Sequence, residues 1–101
     1  MPISLPRQRF SAWRIAGAGA RSGVYVLWHG NEVVYIGRAI ASMRERLMEH
    51  YIRQAKPWDA THFGVLACER PTERETELLR EYTSAHRALP LWNDPQRLPT
   101  D

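Results

Sequence analysis

The chain has 101 residues, 44% of them apolar and 25% charged, with a net charge of +3 and one cysteine. A chain of this size builds one compact core, which excludes a second domain of ordinary size, and Cys68 alone excludes an intrachain disulfide or a cysteine-based zinc knuckle. There is no run of about 18 apolar residues for a membrane span, and MPISLPRQRF lacks the apolar stretch of a secretory signal, so a cytoplasmic protein without membrane contact is expected.

The charge is uneven along the sequence. Residues 1–56 hold nine bases against three acids, whereas residues 57–101 hold five against eight, giving +6 and −3. Thirteen of the fourteen basic residues are arginine, whose planar fork matches phosphate oxygens at two points. A polyanion facing the first half fits this distribution; arginine as ordinary surface charge has equal weight on composition alone.

Residues 1–22 mix Pro, Arg and Gly-Ala steps and read as an irregular lead-in with Phe10, Trp13 and Ile15 as anchors. From Gly23, GVYVLWHGNEVVYIG places two β-branched and aromatic runs around His29, Gly30, Asn31 and Glu32, a hairpin with strands over about 23–28 and 33–37. Ser42 with Glu45 three residues later is a capping box opening a helix to about Gln54, with Met43, Leu47, Met48, Tyr51 and Ile52 as its buried stripe and Pro57 barring continuation. THFGVLA reads as a third strand over 61–67. Thr72 with Glu75 repeats the capping-box pattern and opens a second helix that buries Leu78, Leu79, Tyr82 and Ala85. The tail over 95–101, with Pro95 and Pro99, reads as irregular. The order β-β-α-β-α predicts an α+β fold, a three-stranded mixed or antiparallel sheet flanked by helices.

Several residues in this frame suit phosphate chemistry. Phosphodiester hydrolysis needs an activated water, cations on the non-bridging oxygens, and stabilisation of the leaving oxygen. Glu75 can hold a divalent ion, because Mg²⁺ keeps most of its waters and takes one or two carboxylates. Arg46 offers a guanidinium fork from a helix, and His50, four residues on, shares its face. Arg38 follows the second strand and can reach a phosphate. Each also has a plain structural reading: strand tyrosines as core-rim residues, Arg46 and His50 as a solvated helix face, and Glu75 as the third position of a capping box. Against the last, Glu75 precedes Leu78 and Leu79 by three and four residues and so leans toward the buried face. His29 and His62 read as turn and strand-surface residues, and Cys68 as a small residue at the core edge.

Gly23-Val24-Tyr25, Tyr35-Ile36-Gly37 with Arg38, Arg46-Leu47 with His50, Glu75 before Leu78-Leu79, and then Pro90 and Asn93 form an ordered set. It resembles the GIY-YIG nuclease family, both its excinuclease-type and its homing-endonuclease-type domains, over residues 23–94. Val replaces Ile in the first motif, and the intervals from Tyr35 to Arg46 and from Glu75 to Asn93 are longer than the family pattern. The resemblance implies a DNA endonuclease using Mg²⁺ or Mn²⁺, with Tyr25 as general base, Tyr35 orienting the water, Arg46 and Arg38 on the phosphate, His50 beside them, Glu75 on the metal, and Gly37 and Asn93 supporting the site. A non-catalytic nucleic-acid-binding module of the same fold is the first rival. The second is a protein-interaction adaptor anchored by Trp13, Trp58 and Trp92. No helix-turn-helix or zinc module is evident, so substrate specificity is expected from nucleic-acid shape, a protein partner or a homodimer.

A shared site sets a geometric condition. A regular two-residue turn would pair Tyr25 with Ile36 and put the two tyrosines on opposite faces of the sheet, so a bulge or an odd register is expected in the hairpin.

Overall fold

In the computed structural model, which describes residues 5–53 and 59–93, the chain runs through β1 (Gln8–Arg9), α1 (Ala12–Ala16), β2 (Gly23–His29), β3 (Glu32–Ala39), α2 (Met43–Arg53), β4 (His62–Ala67), α3 (Pro71–His86) and a 3-10 turn at Leu91–Asn93. The four strands form one fully antiparallel sheet in the order β1-β4-β2-β3. The α+β class stands, with four strands in place of three. The lead-in is more ordered than its Pro, Arg and Gly-Ala content suggests: Phe10 and Ile15 are buried, and they hold β1 on β4 and α1 against α2. The tail over 95–101, Trp58 and Pro57 lie outside the described residues.

β2 lies between β4 and β3, and its residues from Gly23 to Trp28 are all buried. Alternation along it separates two cores. Tyr25 and Leu27 face α1 and α2 with Phe10, Ile15, Leu47 and Phe63, while Val24, Val26 and Trp28 face α3 with Ile36, Leu78 and Tyr82.

The hairpin supplies the required irregularity. His29 pairs with Glu32 across a two-residue turn whose first position, Gly30, sits at φ 61, a conformation glycine adopts without steric cost. Trp28 pairs with Val33 but Leu27 pairs with Tyr35, so Val34 is an inserted residue. Such a bulge moves every later side chain on that strand to the opposite face. Tyr35 consequently stands on the same face as Tyr25, with ring centroids 6.0 Å apart.

α2 begins as its cap dictates, with Ser42 Oγ accepting from the Glu45 N–H at 3.3 Å. Its stripe ends sooner than its periodicity suggests: Ile52 is 73% exposed. α3 corrects the second capping box. The helix starts at Pro71, which is preorganised for the first helical position, so Thr72 lies inside the first turn and makes no cap, and Ala85 is exposed.

Candidate active site

β3 is the outer strand of the sheet, and its exposed backbone edge is closed by a side chain. Asn93 Oδ1 accepts from the Ile36 N–H at 2.9 Å, and its Nδ2 donates to the Ile36 carbonyl at 2.8 Å. One amide thus takes the place of a neighbouring strand, fixing the 3-10 turn to the middle of Tyr35-Ile36-Gly37. Asn93→Ala is expected to cost about 1–3 kcal/mol by losing both bonds at a part-buried edge. Urea unfolding measures that loss, and faster amide exchange at Ile36 locates it.

Across the face of β2 and β3 that carries the tyrosines, Gly37 leaves the room the rings need. A Cβ there would sit 2.5 Å from Tyr35 Cε2 and 2.7 Å from both Cζ and Oη of Tyr25. His50 comes down from α2 onto the same pair. Its Nε2 is 2.9 Å from Tyr25 Oη, its ring centroid is 4.9 Å from that of Tyr35, and Trp92 stacks on its other side at 6.5 Å and 28°.

Burial and charge set the protonation of this cluster. Burial pushes the Tyr25 hydroxyl up, the adjacent Tyr35 hydroxyl adds to that, and the Arg46 guanidinium opposes both. His50 is held below its ordinary value by burial first and by Arg46 second. Arg46 is held more firmly protonated, chiefly by Tyr25. At neutral pH the pair is therefore a phenol and a neutral imidazole, and the tautomer of the ring sets which of Tyr25 Oη and His50 Nε2 donates in the bond between them.

These shifts give a signed prediction. Between the ordinary histidine value of 6.5 and its lower folded value, the unfolded chain binds more protons at His50, so stability falls as pH drops below 6.5. Above the ordinary tyrosine value of 10.0 the folded chain holds the Tyr25 proton that the unfolded chain releases, so stability also falls as pH rises beyond it. Melting temperature against pH should show both limbs in wild type. His50→Gln should flatten the acid limb and Tyr25→Phe the alkaline one.

In front of the cluster lies an open cleft of about 530 Å³, lined by Tyr35, Arg38, Ile40, Ala41, Ser42, Glu45, Arg46 and Glu75. Tyr35 and Arg38 come from β3, Glu45 and Arg46 from the first turn of α2, and Glu75 from α3, which reaches round the sheet edge from the opposite face. Tyr25 and His50 are not on its wall; Tyr25 is fully buried behind Tyr35. The side chain of Glu75 is 14% exposed and that of Arg38 44%, and they form an ion pair at 2.6 Å. Arg46 also meets Glu49 at 3.5 Å on the helix surface, a contact worth little in water.

No cluster of three or more His, Cys, Asp or Glu side chains that could hold a metal ion exists among the described residues. Glu75, which shares the wall of this open, hydratable cleft with one other carboxylate residue, Glu45, fits a hard cation that retains its waters. With Thr72 and Glu75 released from a capping box, that cleft and Arg38 are what account for the orientation of Glu75. All the candidate residues thus fall in one region: Tyr25 on β2, Tyr35 and Arg38 on β3, Arg46 and His50 on α2, Glu75 across from them, and Gly37 and Asn93 beneath. Five positions escape the sequence reading of the site: Trp92, adjacent to Asn93, reads only as a surface anchor, Ser42 and Glu45 only as a helix cap, and Ile40 and Ala41 form cleft wall in a segment without periodicity.

No protein-family model and no curated protein matches the chain. Solved structures do. The magnesium-bound GIY-YIG N-terminal endonuclease domain of UvrC from Thermotoga maritima superposes with a TM-score of 0.58 and 23% identity, covering 69% of this chain and 86% of that one. A tyrosine-to-phenylalanine point mutant and an asparagine-to-alanine point mutant of that domain, each bound to its catalytic divalent cation, superpose with TM-scores of 0.53 and 19% identity over 74% of this chain and 87% of theirs. The chain has the GIY-YIG endonuclease fold.

Proposed function

We propose that this chain is a metal-dependent endonuclease hydrolysing phosphodiester bonds in DNA in the cleft between β3, α2 and α3. The observation that carries the reading is the bulge at Val34, which puts Tyr35 on the face of Tyr25 and His50 and opposite Glu75, where a regular hairpin would scatter them. The magnesium named in the similar UvrC structure and the hard oxygen donor that Glu75 offers support a divalent cation as the cofactor.

Arg46 and Arg38 bind the non-bridging oxygens of the scissile phosphate, and Glu75 would hold one Mg²⁺ or Mn²⁺. The ion would supply charge neutralisation at the phosphate and the leaving oxygen. Tyr35, on the cleft wall, orients the attacking water. As the water oxygen bonds to phosphorus and the bond to the leaving oxygen breaks, the water's proton enters the Tyr35–Tyr25–His50 chain. Each hydroxyl passes its own proton onward, and Nε2 of neutral His50 receives the last one. This relay never places a phenolate on buried Tyr25, whose raised value opposes that charge.

The test is cleavage of supercoiled, linear and branched DNA with and without Mg²⁺ or Mn²⁺. Metal-dependent nicking is the expected result. A second reading has its own observation: Arg38 already satisfies the Glu75 carboxylate at 2.6 Å, as a non-catalytic nucleic-acid-binding module would require. Gel retardation of every DNA without cleavage under any metal condition would establish that module in place of the enzyme. The adaptor reading predicts neither cleavage nor retardation at low salt.

A further inference from the structure

The segment before Gly23 builds a small platform. Phe10 and Ile15 are buried, Phe10 meets Tyr51 edge-on at 5.5 Å, and Ser11 Oγ accepts from the Arg14 N–H at 3.3 Å to cap α1. These anchors leave Trp13 86% exposed. A single exposed apolar residue is ordinary in itself; the surroundings of this one are not. Arg14 follows it directly and is exposed. The chain then returns to the start of α2, where the carbonyls of Gly19 and Arg21 accept from the N–H groups of Arg44 and Met43 at 3.1 and 2.9 Å. Arg21 and Arg44, both exposed, are thereby tied to the helix end that carries Arg46 and the cleft.

Residues 5–53 hold eight arginines against three glutamates, and among the described residues Arg14, Arg21 and Arg44 make no ion pair. Exposed guanidinium groups on the segments that join α1 to the start of α2, together with the exposed flat face of Trp13, are complementary to single-stranded nucleic acid. Phosphates lie along the arginines, and an unpaired base stacks on the indole. Duplex can use the arginines but keeps its base faces covered.

Building on the reading of the cleft as a phosphodiesterase site, we infer that the substrate carries a single-stranded segment that leaves the cleft over Arg44 and Arg21 and stacks a base on Trp13. The chain therefore selects junctions, flaps or tails over blunt duplex.

Binding in EDTA tests this without any cleavage, using labelled oligothymidylate, a blunt duplex and the same duplex with a single-stranded tail. Trp13→Ala is expected to weaken binding of oligothymidylate and tailed duplex about tenfold, while binding of blunt duplex changes less than about twofold. Trp13→Phe should restore most of the loss. Arg21→Gln with Arg44→Gln should weaken all three probes and flatten the salt dependence. Equal losses on tailed and blunt duplex, or none, overturn the inference. So does a Trp13→Ala protein with altered oligomeric state and unaltered DNA binding, which would make a second copy the occupant. A protein that never cuts but shows this Trp13 dependence refutes the nuclease reading alone. A metal-dependent nuclease indifferent to Trp13 refutes the inference alone.

Discussion

Glu75→Gln should lower metal-dependent cleavage at least about a hundredfold, the scale on which one transition-state electrostatic contact is lost, while leaving the protein folded. The amide keeps the shape of the carboxylate and can still accept from Arg38, but it gives up the charge that a divalent cation needs. The ion pair it breaks is half open to solvent on the Arg38 side, so the stability change should stay within about 1 kcal/mol. Wild type and variant prepared alike, assayed for nicking across a Mg²⁺ or Mn²⁺ titration and for melting temperature, separate the two effects.

Arg38→Gln separates the two roles of Glu75. If Glu75 acts as a metal ligand, Arg38→Gln weakens substrate binding, preserves a metal-dependent rate and does not mimic Glu75→Gln. If Glu75 serves only to hold Arg38, both variants lose the same activity and the metal titration of each has the same shape. The second outcome would remove Glu75 from the metal site.

What the sequence made legible follows from the length of each signal. The hairpin and α2 carry several turns of consistent pattern, and the structure places them within about two residues of their expected bounds. The need for a bulge was legible too, because period-two alternation forces opposite faces for Tyr25 and Tyr35 unless a residue is inserted. That it falls at Val34 was not legible, since Val33 and Val34 are interchangeable by composition and differ only in which core they fill. β1, with two residues, and α1, with five, are shorter than any period can reveal. They exist because Phe10, Ile15 and Phe63 pack together, a contact between distant parts of the chain. At α3 two local start signals competed, a Pro suited to the first helical position and a Thr-x-x-Glu box. The Pro prevailed, which moved Glu75 from the cap into the second turn. The resemblance implies that Asn93 supports the site. Its two-point hold on Ile36 depends on β3 being an edge strand, which is a property of the sheet order.

Gly37→Ala should be the most damaging single methyl group on this face. At a strand position a Gly→Ala change ordinarily stabilises by about 0.4–1 kcal/mol through the unfolded chain. Here the new Cβ meets Tyr35 Cε2 at 2.5 Å and Tyr25 Cζ and Oη at 2.7 Å. Tyr25 cannot swing aside, because it is fully buried and its hydroxyl is fixed 2.9 Å from His50. Overpacking of that kind costs about 1–3 kcal/mol, so the steric effect exceeds the entropic gain and urea unfolding should show net destabilisation. Cleavage should fall further than stability accounts for, because relieving the overlap drives apart the hydroxyls that relay the proton, and displacements of about 1 Å cost on the order of a hundredfold. Gly30→Ala is the control. Nothing lies within 4 Å of its added Cβ, but its φ is +61, so it should lose about 1–2 kcal/mol from the left-handed backbone alone and keep its rate per folded molecule. Equal activity losses in both variants would mean that Gly37 matters only as a strand residue, and the tyrosine pair would cease to be a catalytic unit.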